Sequence, residues 1–119
     1  MENVSDINKI ASIKSLQSTI DKSEKALARM VDKDSSTTLL KKRLEALYTG
    51  LYVLESAWNQ KPHHYKQYNL AKARNTLSDL LSIIKVAYIK AKKGSPQRTL
   101  LERRIKAIEL SIQAIDDLS

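Results

Sequence analysis

The chain has 119 residues, no cysteine, no phenylalanine and only two glycines and two prolines. It is therefore sized for one core, cannot build disulfides or thiolate metal sites, and has few residues suited to strand hairpins. Its formal charge of +8 is uneven, with nine Lys/Arg against eight Asp/Glu in residues 1–60 and twelve against five in residues 61–119, a balance that suits an acidic protein, a phosphate-bearing ligand, nucleic acid or an anionic surface without choosing among them.

Met1 to Asp6 carry two acids and no apolar run, unlike a secretory signal, and no apolar stretch approaches the length of a membrane span. The expectation is a cytoplasmic protein. Ser5 reads as the cap of a first helix with Asp6 in its first turn. Ile7, Ile10, Ile13, Leu16, Ile20, Leu27 and Met30 then recur at three- and four-residue steps to about Asp32. Lys33-Asp34-Ser35-Ser36 is a polar break in which Ser35 or Ser36 is expected to cap helix two.

Helix two carries the clearest seam, Leu40, Leu44, Leu47, Leu51, Leu54 and Trp58, flanked by Ala46, Gly50, Val53 and Ala57, whose small side chains let another helix come close. Gly50 costs about 1 kcal/mol of helix propensity relative to Ala, so its place in mid-helix implies close packing or a bend. Asn59 to His64 forms the joint between halves, since Pro62 disfavours helix at Lys61. Helix three is expected from about Tyr65 to Lys92, with Leu70, Ala73, Leu77, Leu80, Leu81, Ile84, Ala87, Tyr88 and Ala91 on one stripe. Lys93-Gly94-Ser95-Pro96 specifies the last turn, with Gly at a helix end, Ser as cap and Pro at the first helical position. Helix four follows with the seam Leu101, Ile105, Ile108, Ile112 and Ile115 beside Ala107, Ser111 and Ala114.

Helices two and four resemble each other: Thr38-Leu39-Leu40-Lys41-Lys42-Arg43-Leu44 returns 61 positions later as Thr99-Leu100-Leu101-Glu102-Arg103-Arg104-Ile105. The expected fold is thus an all-α, antiparallel four-helix bundle in a single domain, 1–119, made of two duplicated helical hairpins at about 5–58 and 66–118. A homodimer that exchanges the hairpins satisfies the same pattern.

A duplicated chain supplies its own control, because a position doing only structural work should look alike in both halves. Tyr48 and Tyr52 correspond to Glu109 and Gln113, which predicts a water-facing aromatic platform for a protein partner; the plainer explanation is that they cover the end of the core or pack in a homodimer contact. Arg43 and Arg104 are the same residue at equivalent positions and are expected half buried. In an up-and-down bundle both hairpin turns share one end, and that end would collect Lys42, Arg43, Lys93, Arg98, Arg103 and Arg104, with Lys33, Lys41, Lys90 and Lys92, as a site for phosphate or carboxylate. The alternative is that these groups neutralise the final carbonyls of helices one and three.

His63-His64, near Tyr65 and Tyr68, offers no metal-ligand spacing, and no nucleophile motif or phosphate-cradling glycine loop is present, so neither a metal nor a cofactor is expected. The functional expectation is a small non-enzymatic adaptor or regulatory protein that works by binding a partner. The alternative is a binder of nucleic acid or a small phosphorylated ligand through the basic turn end. Salt dependence separates the two.

Overall fold

The structure is a computed structural model that describes residues 4–32, 36–59 and 69–118. These residues form four helices, α1 (Asp6–Asp32), α2 (Thr38–Asn59), α3 (Leu70–Lys90) and α4 (Pro96–Asp116), and no strand.

Local chemistry fixes most helix ends. The Ser5 hydroxyl accepts from the Asn8 N–H at 3.2 Å, capping α1 as expected. At α2 the first backbone bond runs from Lys41 N–H to the Thr37 carbonyl, so Thr37 rather than Ser36 stands at the capping position; Ser35 lies outside the described residues. Helix α3 begins at Leu70, later than the spacing predicted, because the Asn69 side chain accepts from Lys72 N–H and holds Asn69 extended at φ −84° and ψ 90°. Residues 65–68 lie outside the described residues. The turn between α3 and α4 is as the sequence specifies: Gly94 takes φ 77°, Ser95 caps through Arg98 N–H, and Pro96 opens α4.

The seams of α2 and α4 form the core. Leu44, Leu47, Leu54, Leu101, Ile108 and Ile115 are buried, and Leu40, Leu51, Trp58, Ile105 and Ile112 are half buried beside them. Leu16 and Leu77 complete it from α1 and α3. Not every member of the predicted stripes goes inside. Ile7 and Ile10 are exposed at the start of α1, which at 27 residues is longer than the 22 and 21 residues of the helices it packs against. Ala57 and Ala87 also face water.

Each hairpin is antiparallel. In the first, the Tyr48 hydroxyl donates to Glu24, while Lys9, earlier in α1, stands 6.0 Å from the ring of Trp58, later in α2. In the second, Lys85 pairs with Glu109 at 3.8 Å and Arg74 with Asp116 at 2.7 Å. Between hairpins the order differs from an up-and-down bundle. Gly50 packs on Leu77, and Lys42, Glu45 and Thr49 share a cleft with Asn69, Lys72 and Thr76. Numbers therefore rise together along α2 and α3, and these helices run in the same sense. Helices α1 and α4 also run in the same sense, since Asn8, Ala11 and Ser12 share a second cleft with Thr99, Arg103 and Lys106.

The start of α2 and the α3–α4 turn consequently lie at opposite ends of the molecule, which corrects the expectation that the basic residues of the two hairpins share one end. The reason lies at the crossing of α2 and α4, where Gly50 meets Ser111. A two-fold axis run along the helices would keep α2 and α4 in one direction, whereas one run across them through this contact reverses the second, and the opposed senses of α2 and α4 are those of the latter. The result is a slab two helices thick, measuring 39 × 37 × 19 Å.

Candidate functional site

Three surfaces carry the residues singled out in the sequence. The first is an open cleft of about 430 Å³ between the N-terminal halves of α2 and α3. Its floor is made of the buried small side chains Ala46, Thr49, Ala73 and Thr76, and Lys42, Glu45, Lys72 and Tyr48 rise around it. The floor is shallow because small residues let two helices approach closely. The Thr49 hydroxyl donates to the Glu45 carbonyl at 2.9 Å, whereas the Thr76 hydroxyl is buried without a hydrogen-bond partner.

The two tyrosines of the expected platform part company here. Tyr48 is 45% exposed and lines the cleft, its hydroxyl bound to Glu24 across the hairpin. That hydrogen bond, followed by desolvation and the negative charges of Glu24 and Asp21, raises its pKa above the ordinary phenol value. Tyr52 is half buried. A step of four advances along the helix but also turns by about 40°, enough to carry the second ring toward the packed side.

The second cleft, about 400 Å³, lies between the N-terminal halves of α1 and α4 and is lined by Ile7, Asn8, Ser12, Glu102, Arg103 and Lys106 among others. It matches the first position by position at the same 61-residue offset: Lys42 with Arg103, Glu45 with Lys106, Asn69 with Asn8, and Ala73 with Ser12. The correspondence extends beyond the clefts. Ser15 and Thr76, again 61 apart, both bury a hydroxyl without a partner, and the Tyr48–Glu24 contact of one hairpin stands where the Glu109–Lys85 ion pair stands in the other.

The third surface is the pole formed by the α3–α4 turn. From residue 80 to residue 108 the chain carries eight Lys/Arg and one acid, Glu102. Lys93 and Arg103 are exposed there. Arg98 is half buried, its guanidinium 4.3 Å from the centre of the Tyr88 ring. Arg104 is half buried as expected, but its Nε and one terminal nitrogen are buried without a hydrogen-bond partner, and burial pushes its pKa down. Lys42 and Arg43 belong to the opposite end of the slab. The six cations expected to converge are thus divided two and four.

One feature of this pole escapes a reading of the core stripe alone. The outward face of α3 changes character along its length, from Lys72, Asn75, Asp79 and Ser82 to Ile83, Val86 and Ile89. Those three are 50%, 51% and 75% exposed. The signal was present in the sequence as apolar residues at three-residue spacing outside the stripe of Leu77 and Ile84. Among the described residues no group of three or more His, Cys, Asp or Glu is placed to hold a metal; His63 and His64 lie outside them. No helix among the described residues is long and apolar enough to cross a membrane.

Comparisons with protein-family models, with curated proteins and with solved structures return no match for this chain.

Proposed function

We propose that this chain is a small non-enzymatic adaptor that works by binding an acidic segment of a partner protein in the α2/α3 cleft. The observation that carries the reading is the cleft's construction: an open trough floored by small side chains, with one exposed tyrosine and two lysines against one glutamate on its rim. Tyrosine at the edge of a shallow groove supplies contact area at low entropic cost, and the surplus of lysine favours an acidic occupant. Among the described residues the cleft is lined by no histidine or cysteine and by a single carboxylate, a poor set for acid–base or nucleophilic work. The absence of cysteine suits the cytoplasm, where we place the protein.

The test is affinity capture from the native host with mass spectrometry, repeated with Tyr48→Ala and with Lys42→Glu/Lys72→Glu. A partner held in the cleft is lost from both variants and retained by Lys14→Glu, an exposed control on α1. Capture that ignores the cleft substitutions overturns the reading.

A second reading is supported by the charge of the α3–α4 pole, where phosphate groups of a nucleic acid or small ligand would meet Lys93, Arg98, Arg103 and Arg104. Its test is retention on heparin. Lys93→Glu/Arg103→Glu should elute at markedly lower salt than the parent, and unchanged elution removes the reading.

We further infer that the two hairpins descend from one by duplication. The position-by-position match of the two clefts, and of the unpartnered Ser15 and Thr76 hydroxyls, supports it.

A further inference from the structure

We propose that the α3–α4 pole docks reversibly on an anionic lipid bilayer, with Ile83, Val86 and Ile89 entering the headgroup region and Lys90, Lys92 and Lys93 contacting lipid phosphates. The inference rests on the second reading above, that this pole binds phosphate-bearing groups, and names the surface that bears them.

An outward apolar patch beside a basic turn suits an occupant that is apolar and negative at once. The three aliphatic side chains are 50–75% exposed and stand outside the cluster built on Leu77 and Ile84, so none of them is a member of the core. Polar residues hold the same face one and two turns earlier, so the patch is confined to the end of α3 that adjoins the basic turn. A second copy of the chain is disfavoured as the occupant, since its lysines would meet these lysines across the contact. Nucleic acid needs no aliphatic ridge, and the aromatic ring that α3 itself carries beside this ridge, Tyr88, is covered by Arg98. A folded protein partner usually anchors on a pocket, yet this surface is convex, and the two clefts lie between other helix pairs. A soft anionic interface conforms to a convex ridge, takes up a few aliphatic side chains, and meets the flexible lysine ammonium groups at headgroup level.

The experiment is co-sedimentation of the full chain with vesicles of phosphatidylglycerol and phosphatidylcholine in equal parts, and with phosphatidylcholine alone, alongside heparin retention. Binding is expected to the anionic vesicles only. It should weaken about tenfold for each of Ile83→Ser and Ile89→Ser, and be lost in Lys90→Glu/Lys92→Glu/Lys93→Glu. All of these residues are exposed, and circular dichroism confirms that the variants keep their helices. Heparin retention without vesicle binding overturns the bilayer proposal and leaves the phosphate reading standing. Loss of both overturns both. Vesicle binding that is indifferent to the serine substitutions, or binding of an acidic peptide that depends on them while vesicles are ignored, also overturns it.

Discussion

Gly50 of α2 and Ser111 of α4 meet where the two seam helices cross, and a Cβ built on the glycine would come within 3.1 Å of both Cβ and Oγ of the serine. A larger group has nowhere to go on that side, because Leu77 Cδ1 stands 3.3 Å away. Gly50→Leu is expected to cost about 3 kcal/mol by overpacking. For Gly50→Ala the gain in helix propensity, up to about 1 kcal/mol, offsets most of the crowding. Urea unfolding measures both, and a neutral Gly50→Leu would show that the helices do not cross at this point.

Leu47 and Ile108 hold equivalent places in the two seams and are both almost wholly buried. Each replacement by Ala should destabilise by about 2–5 kcal/mol. Near-neutral outcomes in denaturant titration would contradict the packing of either seam.

The head-to-tail placing of the hairpins is open to a distance measurement, made simple by the absence of native cysteine. Spin labels on Lys42→Cys and Lys93→Cys should stand about 30–35 Å apart, the length of a helix of this size. Labels on Lys42→Cys and Lys72→Cys, facing each other across the first cleft, should be separated by roughly the spacing of two packed helices, about 10 Å between backbones. A short Lys42–Lys93 distance would restore the up-and-down order.

Tyr48 should titrate above an ordinary tyrosine, since its hydroxyl donates to the Glu24 carboxylate. A phenol whose folded pKa is raised stabilises the fold fully below its unfolded value of about 10 and loses that contribution as pH climbs through the folded pKa. Spectrophotometric titration of Glu24→Gln should bring the Tyr48 pKa down. An unmoved titration would mean that the hydrogen bond is absent in solution.

Arg104 buries two guanidinium nitrogens without partners, and the group stays charged at any working pH. Arg104→Met keeps the length of the side chain and removes the unmet polar atoms, so stability should rise by about 1 kcal/mol. A loss in thermal unfolding would reveal that the guanidinium does more for the fold than its surroundings indicate.

Helix number, the caps at Ser5 and Ser95, and the seams of α2 and α4 were all legible in the sequence, because each rests on local chemistry or on periodicity within a single helix. The stripe containing Gly50 even announced a close approach. The direction of the approaching helix was beyond reach, since a stripe that fits its neighbour in one sense presents nearly the same spacing in the other. That ambiguity moved Lys42 and Arg43 away from Arg103 and Arg104. The first cleft was missed for a related reason: Lys42 and Lys72 are far apart in the chain, and only the same-sense pairing of α2 and α3 sets them across one trough. Ile83, Val86 and Ile89 were hidden by the stronger stripe beside them, which accounts for the helix without them.

The slab is 19 Å through its shortest dimension, scarcely more than the width of two helices side by side with their side chains trimmed. Nothing in such a body is far from its skin. Every helix gives one flank to the core and keeps the other for whatever the protein meets, so a large share of the chain is available for recognition and very little for a secluded chamber. Thinness of this kind favours a molecule that works by touching.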